Sequence, residues 1–215
     1  MRVLAIDAAC AACSVAVLAD DQVTAARTAD SSRGAASILP GLVADALAAS
    51  PGALDVIAVS VGPGGFTGLR AALSLAHGLA LGFGVELIGV SVAEALADAA
   101  GTLAGRALWV ALDSRRGRVF LDRGGLLAAV TLDTLPAPDG PVAIAGDAAI
   151  PVAARLAARG SDVLLTAVRQ PHAAGVGRAA RRRARGDLPP LAAVPLYVDA
   201  PEARLPAGGL RPAPL

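Results

Sequence analysis

Short apolar runs alternate with longer segments of mixed polarity through the first half of the chain, and this alternation predicts strands and helices in turn. Strands are predicted at residues 3–7, 13–19, 22–29, 54–61 and 86–90. Helices, in which apolar residues recur every three or four positions, are predicted at residues 33–49, 67–81 and 92–100. We expect Ser31 or Ser32 to cap the first helix and Ser91 to cap the third. Three strands followed by alternating helices and strands are typical of α/β layers around a mixed sheet.

The second half of the chain repeats this order more weakly. Strands are predicted at residues 107–113, 118–122, 141–145, 163–166 and 192–198. Helices are predicted from a cap at Asp147 to residue 158, and over residues 171–185. A strand that ends in aspartate, a polar turn and a second strand occur at both Asp7 and Asp113, which indicates an internal duplication. We therefore expect an N-terminal lobe at 1–103 and a smaller, degenerate lobe at 104–215.

The composition argues against a membrane protein. Although 55% of the 215 residues are hydrophobic, the longest stretch without a charged residue is 71–85, and a spanning helix needs about 20 apolar residues. Asp7 lies too close to Met1 for the apolar core of a signal peptide. Two cysteines are too few for a disulfide scaffold, which agrees with a reducing compartment. We expect a cytoplasmic protein that does not associate with membranes.

The charged residues exclude several kinds of chemistry. The formal net charge is +1, so the chain has no overall field that would attract it to nucleic acid or lipid. Every basic residue except the two histidines is arginine. Without lysine, the chain cannot use a P-loop lysine, a pyridoxal Schiff base or a lysine nucleophile.

The most distinctive motif is GPGGFTGLR at residues 62–70, between a predicted buried strand and a predicted helix. Its glycines allow a close approach of the backbone to another group, and a helix start offers free N–H groups. The loop therefore either packs tightly against a neighbouring segment or holds a phosphate. In the second case the Gly62–Gly65 loop and Asp7 would bind Mg-nucleotide, as in an actin-like ATPase or a small-molecule kinase. Otherwise Asp7 is a strand-end acid that caps a turn.

No set of residues predicts a catalytic or metal site. Cys10 and Cys13 have the CxxC spacing, but they lie at a turn that enters a strand and not at a helix N-terminus, where a thiol becomes reactive. A zinc site needs about four ligands, and the two histidines, His77 and His172, lie on different predicted helices. No Ser/His/Asp triad is evident, so no residue is assigned to catalysis or to a metal.

Arginines are concentrated on the helix predicted at residues 171–185. A solvated basic face near the C-terminal end of a helix, where cations stabilise the dipole, is the ordinary interpretation. The alternative is contact with RNA phosphates, although aromatic residues for base stacking are scarce. The residues assigned to this RNA contact are Arg178, Arg181, Arg182 and Arg185.

The chain resembles the TsaB (YeaZ) family in segments that cover nearly its whole length and keep the family's order. They are AID at 5–7, ACSVA at 12–16, GPGGFTGLR at 62–70, LDSRRG at 112–117, GD at 146–147 and PLYV at 195–198. The resemblance implies a two-lobe α/β fold of the actin/Hsp70/sugar-kinase class, with mixed sheets flanked by helices. Older names call such proteins glycoprotease-like, but no residue here supports peptidase chemistry.

The same resemblance implies a function in threonylcarbamoylation of the tRNA adenosine next to the anticodon. In that system a TsaD-type subunit carries the metal and transfers the threonylcarbamoyl group, and a TsaE-type subunit is an ATPase. The chain would be the non-catalytic scaffold that docks on the TsaD-type subunit. It would need no cofactor of its own, because its partners handle ATP and Mg, and it would meet tRNA through the complex. In the absence of its partner, the chain would form a homodimer through the helices of its N-terminal lobe that dock on the TsaD-type subunit.

Departures from the family pattern bear on nucleotide binding. Ala8 and Ala9 follow Asp7 where the family has Thr or Ser, and residues 34–36 are Gly-Ala-Ala where it often has His-Ser-Glu. These changes remove polar side chains from the position of the active site. They leave a degenerate nucleotide site at Asp7, Gly64 and Gly65, and no metal site.

Docking on the partner is assigned to the first two long helices. Small residues allow helices to pack closely, so these helices would form a bundle with equivalent helices of the partner. The alternative is that both apolar stripes only cover the lobe's own sheet. We expect one face of each helix to do so and part of the rest to be an exposed apolar patch, with Arg70 as a polar anchor. The residues assigned to docking are Ile38, Leu42, Ala46, Gly62, Gly64, Phe66, Thr67, Gly68, Arg70, Ala72 and Leu75.

Overall fold

The alternating segments fold into two five-stranded sheets with helices packed on them. The computed structural model describes residues 1–30 and 34–198. The first half contains β1 (Arg2–Asp7), β2 (Ala12–Ala19), β3 (Gln22–Asp30), α1 (Ala35–Ala49), β4 (Val56–Gly62), α2 (Phe66–Phe83), β5 (Glu86–Ser91) and α3 (Val92–Ala100). The second half contains β6 (Ala107–Asp113), β7 (Val119–Arg123), β8 (Leu127–Val130), β9 (Val142–Ala145), α4 (Ala149–Ala157), β10 (Val163–Leu165) and α5 (Ala173–Ala184).

The two sheets have the same topology. Their strand orders are β3-β2-β1-β4-β5 and β8-β7-β6-β9-β10. In each sheet the first three strands form an antiparallel meander, and the fourth and fifth strands continue parallel to the first. Asp7 and Asp113 both end the first strand of their sheet. The internal duplication and the mixed-sheet α/β architecture predicted from the sequence are therefore confirmed.

The first sheet is buried on both faces. Alternate side chains of a strand point to opposite faces, so the two faces carry separate apolar sets. One face, which includes Ile6 and Val59, packs against α1 and α2. The other face, which includes Val3 and Ala58, packs against α5. This double burial explains why β1 and β4 are continuous apolar runs and not alternating ones.

Helix α5 comes from the C-terminal half but covers the first sheet, and small or charged residues hold it there. A Cβ atom on Gly175 would lie 2.5 Å from the Ala95 carbonyl oxygen of α3. The guanidinium of Arg181 is 2% exposed and binds the carboxylates of Asp20 and Asp21 in the turn between β2 and β3. The lobe boundary expected between residues 103 and 104 stays a prediction.

The structure corrects the last predicted strand. Residues 192–198 do not pair as a strand, and they contact instead the end of β4 and the side of α2. The Leu196 N–H donates to the Val61 carbonyl at 2.8 Å, and His77 Nε2 lies 2.9 Å from the Ala193 carbonyl oxygen. Pro195, which has no N–H to donate, interrupts this segment, so a regular ladder cannot form there. We call residues 186–198 the C-terminal strap.

Of the three predicted helix caps, one is confirmed, one is wrong and one lies outside the described residues. Ser91 caps α3 through a reciprocal capping box with Glu94, as predicted. Asp147 does not cap α4, which begins after Ala148, because its carboxylate accepts the Asp113 N–H at 2.8 Å. Helix α1 begins after Gly34 without a side-chain cap, and the serines predicted to cap it, 31 and 32, lie outside the described residues. Strand β8, in an alanine-rich segment, was not predicted.

Membrane-spanning segments were also sought in the structure. Within residues 1–30 and 34–198, none of the helices combines the length and the apolar character that crossing a bilayer requires.

The approach of α5 to α3 yields a test of the fold. Gly175→Ala would push a methyl group into the Ala95 carbonyl, and such overpacking costs about 1–3 kcal/mol of unfolding free energy. Gly82→Ala is the matched control, because nothing lies within 4 Å of its Cβ position, and we expect it to stabilise the helix by about 0.5–1 kcal/mol. Urea unfolding followed by circular dichroism measures both values. Equal effects of the two substitutions would contradict this packing.

Candidate functional site between the two sheets

The GPGG loop packs directly on the turn that follows β1. A Cβ atom on Gly64 would lie 2.3 Å from the Ala9 carbonyl oxygen, and one on Gly68 would lie 2.2 Å from the Ala8 carbonyl oxygen. The Gly65 N–H donates to the Ala9 carbonyl at 2.7 Å. These glycines are therefore required for contact between two backbone segments, which supports the packing interpretation of the motif.

Asp7 is buried at the end of β1 beside this contact. Its Oδ1 accepts a hydrogen bond from Ser60 Oγ at 2.5 Å and a long one from the Ala9 N–H at 3.4 Å. Oδ2 is buried and has no hydrogen-bond partner within residues 1–30 and 34–198. Burial raises the pKa of Asp7 from 3.8 to about 7, although the bonds from Ser60 and Ala9 oppose the shift. A carboxylate in this setting is stabilised by no cation and is poorly prepared to hold Mg-phosphate.

Gly64 and Gly65 line two cavities of different size. A cavity of about 50 Å³ lies next to Gly64 and Gly65, between Cys10 and the acidic residues Asp113 and Asp147. This volume holds a few water molecules, since a water needs about 10–15 Å³ by this measure. The Gly65 N–H is already bonded to Ala9. The degenerate nucleotide site at Asp7, Gly64 and Gly65 stays a prediction.

A larger cavity of about 470 Å³ opens between the start of α2, the loop between β6 and β7, and the C-terminal strap. Phe66 and Tyr197, 57% and 56% exposed, line it with their ring centroids 6.4 Å apart. The guanidinium of Arg70 lies 3.9 Å from the centre of the Phe66 ring, and its Nη2 donates to Tyr197 Oη at 3.0 Å. We call this volume the interlobe cavity. Tyr197 could not be joined to Arg70 from the sequence, because 127 positions separate them.

The residues assigned to docking occupy different environments. Ala46, Ala72 and Gly62 are buried inside the N-terminal half and present no surface to a partner. The remaining ones are half-buried or exposed: Ile38, Leu42, Gly64, Phe66, Thr67, Gly68, Arg70 and Leu75. The structure therefore removes three members from the outer surface, and the docking role of the others stays a prediction.

The outer surface of α2 also contains apolar residues that the sequence reasoning missed. Leu81 and Phe83, near the C-terminal end of the helix, are 86% and 51% exposed. Gly78 and Gly82 lie in the same helix with nothing within 4 Å of their Cβ positions, and Gly41 of α1 is equally open. Glycines inside a predicted helix were the available signal, because they destabilise a helix unless packing requires them.

The arginines of α5 mostly bind acidic residues of the same chain. Arg181 is buried against Asp20 and Asp21, and Arg178 Nη1 donates to Asp98 Oδ2 at 2.7 Å. Arg182 and Arg185 remain exposed. Two of the four arginines assigned to RNA thus have structural ion pairs, so the solvated and structural interpretation is favoured. RNA contact by Arg182 and Arg185 stays a prediction.

The cysteines show no sign of a reactive or metal-binding site. Cys10 is half-buried and Cys13 is buried, and both are free thiols. Burial, with a smaller contribution from the charge of Asp7, raises the pKa of both thiols. Over the described ranges 1–30 and 34–198, no three histidine, cysteine or acidic side chains are arranged to hold a metal ion.

Comparisons with known proteins agree with the resemblance seen in the motifs. The model of the family described as "TsaD: tRNA N6-adenosine threonylcarbamoyltransferase" matches residues 29–164. The tRNA threonylcarbamoyladenosine biosynthesis protein TsaB of Escherichia coli (strain K12) is 40% identical over 124 residues, which are 56% of this chain and 53% of that protein. The match thus spans about half the length of this curated relative. The resemblance to the TsaB (YeaZ) family is confirmed.

Solved structures support the fold. YeaZ from Pseudomonas aeruginosa is 27% identical, with a TM-score of 0.75 over 91% of this chain and 99% of that chain. An inorganic polyphosphate/ATP-glucomannokinase from Arthrobacter sp. strain KM has a TM-score of 0.50 at 13% identity, over 86% of this chain and 99% of that chain, and this likeness concerns the fold alone. The predicted two-lobe fold of the actin and sugar-kinase class is confirmed.

The burial of Asp7 predicts a pH dependence of stability. Its pKa is about 7 in the folded chain and 3.8 as the reference value, so the folded state holds a proton that the unfolded state has lost between these pH values. Its contribution to stability is therefore greatest below pH 3.8, falls as the pH rises to about 7, and is constant above it. Asp7→Asn removes this contribution. We expect the variant's unfolding free energy, relative to the parent, to rise by a few kcal/mol between those limits.

Urea titrations at closely spaced pH values measure this difference, and Asp139→Asn, at an exposed position between β8 and β9, is the control. Parallel pH profiles of Asp7→Asn and the parent protein would contradict the assignment.

Proposed function

We propose that this chain, which belongs to the family described as TsaD, tRNA N6-adenosine threonylcarbamoyltransferase, acts as a non-catalytic scaffold subunit for a TsaD-type transferase. The TsaD-type transferase would catalyse the threonylcarbamoylation of the tRNA adenosine next to the anticodon. The relationship to a curated TsaB protein supports the pathway. The proposal covers a cytoplasmic complex that also contains a TsaE-type ATPase and reaches tRNA through the assembled subunits. The partner subunits bind ATP and Mg. The isolated chain forms a homodimer through the surface of α1 and α2 that docks on the transferase.

The open glycines of α1 and α2 carry this proposal. Elsewhere in the helices, Gly68, Gly175 and Gly177 would each place a Cβ within about 2.5 Å of another atom, so the fold requires them. Gly41, Gly78 and Gly82 face open space, although a helix-interior glycine costs about 0.5–1 kcal/mol relative to alanine. Nothing in the described part of the chain accounts for this cost. A partner helix that packs closely on the same surface does account for it.

The side chains around these glycines suit the same purpose. Leu81 and Phe83 are exposed near Gly78 and Gly82 in sequence, and Phe66 is exposed at the other end of α2. The half-buried Leu42 and Leu75 pack at the edge of the lobe's own core. An exposed apolar surface in which small residues lie beside larger ones allows a second helix to approach closely.

The geometry at Asp7 supports a non-catalytic role. The Gly65 N–H is bonded to the Ala9 carbonyl and the face of Gly64 lies on the same carbonyl, so this part of the loop is already engaged within the chain. Asp7 is enclosed, and its pKa of about 7 leaves it partly protonated near neutral pH. The actin-like ATPase or kinase alternative stays a prediction.

Substitution of Gly78 separates folding from docking. We expect Gly78→Ala to raise the unfolding free energy of the isolated chain by about 0.5–1 kcal/mol. We expect Gly78→Leu, which keeps the helix, to lower the affinity for a TsaD-type partner by about tenfold or more, because the helices can no longer approach. Leu81→Asp should have a similar effect through the loss of apolar contact. Calorimetric titration of the partner measures both affinities.

Leu164→Asp is the matched control, since Leu164 is an exposed leucine of β10 in the second sheet. It should leave the affinity unchanged. Undiminished binding by both Gly78→Leu and Leu81→Asp would place the docking surface elsewhere.

A further inference from the structure

The C-terminal strap runs along one side of α2. Tyr197 Oη accepts a hydrogen bond from Arg70 Nη2 at 3.0 Å. Nearer the start of the strap, the Ala193 carbonyl oxygen lies 2.9 Å from His77 Nε2. Arg70 and His77 are seven positions apart, which is about two turns of a helix, so they lie on the same side of α2. The strap therefore follows that side of the helix over two turns.

The most exposed apolar residues of α2 lie on the same side. Phe66 precedes Arg70 by four positions, and residues four apart are neighbours on a helix surface. Leu81 follows His77 by the same interval. Phe66 and Leu81 are 57% and 86% exposed. The strap thus contacts the middle of a stripe whose two ends are open and apolar.

The strap buries some of its apolar side chains and exposes others. Leu191, Ala193 and Leu196 pack against the core that the first sheet shares with α1 and α2. Val194 and Tyr197 are 58% and 56% exposed. We call these two side chains the strap surface. An exposed apolar side chain gives up much of the burial free energy that fixes such a segment, so the strap surface contributes less than the other three residues to holding the strap in place.

Tyr197 is held in its exposed position by two side chains of α2. Arg70 donates a hydrogen bond to its hydroxyl, and the Arg70 guanidinium lies 3.9 Å from the centre of the Phe66 ring. The ring centroids of Phe66 and Tyr197 are 6.4 Å apart. Tyrosine and arginine are enriched among the residues that dominate interface energies. A side chain that is already ordered also loses less entropy on binding.

We infer that the strap surface is part of the docking surface, so that a TsaD-type transferase contacts Val194 and Tyr197 together with α2. This inference rests on the proposed function. The strap surface is continuous with the helix surface at two points. Tyr197 adjoins Phe66, and Val194 follows the residue that contacts His77, which precedes the open Gly78. The region of the partner that fits this surface is apolar.

Calorimetric titration of a TsaD-type partner with variants of the full chain tests the inference. Val194→Asp places a charge in the contact, and we expect it to lower the affinity by about tenfold or more. Tyr197→Ala should lower it by a similar factor, whereas Tyr197→Phe keeps the ring and should retain most of the affinity. Leu126→Asp is the matched control, because Leu126, between β7 and β8, is 66% exposed. It should leave the affinity unchanged.

Two further measurements separate contact with the partner from a purely structural role of the strap. Val194→Asp should leave the urea midpoint of the isolated chain unchanged, since the side chain at this position is exposed. A photoreactive benzoylphenylalanine at position 194 should crosslink to the partner, and the same group at position 126 should not. A lowered urea midpoint without crosslinking would assign the strap a structural role only and would overturn the inference.

The remaining outcomes decide between this inference and the proposed function. Affinity that survives both Val194→Asp and Tyr197→Ala, while Leu81→Asp lowers it, would overturn the inference and leave docking on α2 standing. Weakened binding by the strap variants, with undiminished binding by Gly78→Leu and Leu81→Asp, would support the strap contact and overturn the assignment to α2.

Two results concern the identity of the partner. Self-association that Val194→Asp abolishes, without a change in affinity for the transferase, would show that a second copy covers the strap surface, and it would overturn the inference. A parent chain that does not bind the transferase would overturn both proposals.

Discussion

The contact between the turn after β1 and the GPGG loop is the constraint on which the rest of the structure depends. The Ala9 carbonyl oxygen accepts the Gly65 N–H, and the faces of Gly64 and Gly68 lie directly on the backbone of Ala9 and Ala8. Only glycine allows this approach, because a Cβ atom would overlap a carbonyl oxygen. The contact sets where α2 begins. It thereby places Phe66 and Arg70 at the interlobe cavity and directs the remaining length of α2 along the outside of the molecule.

The same contact also determines what surrounds the Gly65 N–H and the Asp7 carboxylate. In a phosphate-binding protein, the N–H groups of such a loop point to the ligand. Here one of them is bonded to Ala9, and Asp7 is enclosed beside Ser60 instead of facing a cation. Burial then raises the pKa of Asp7 towards neutrality, because a charge without solvent or a counter-ion is unfavourable. Close packing of the two loops and the burial of Asp7 thus occur together at one end of β1.

The glycines and arginines show that residues of the same type have different roles, depending on their surroundings. Gly68 and Gly175 fill sites where backbones touch, whereas Gly78 and Gly82 lie in open helix surface, where the described part of the fold does not require glycine. Arg181 is buried as an anchor of α5 on the turn of Asp20 and Asp21, while Arg182, the next residue, is exposed. Helical geometry turns neighbours by about 100°, so adjacent residues meet different surroundings.

The sequence by itself determined most of the strands, the long helices, the duplicated order and the family, because these depend on local periodicity and on motifs within a few residues. It also indicated that the GPGG loop makes a close approach. Tertiary structure alone decided what the loop approaches, which of the assigned residues are buried, and that Tyr197 meets Arg70. The last predicted strand is instead the C-terminal strap, because Pro195 lacks an N–H donor and the segment forms hydrogen bonds with Val61 of β4 and His77 of α2. Contacts between distant segments depend on how layers stack, and no local pattern encodes that stacking.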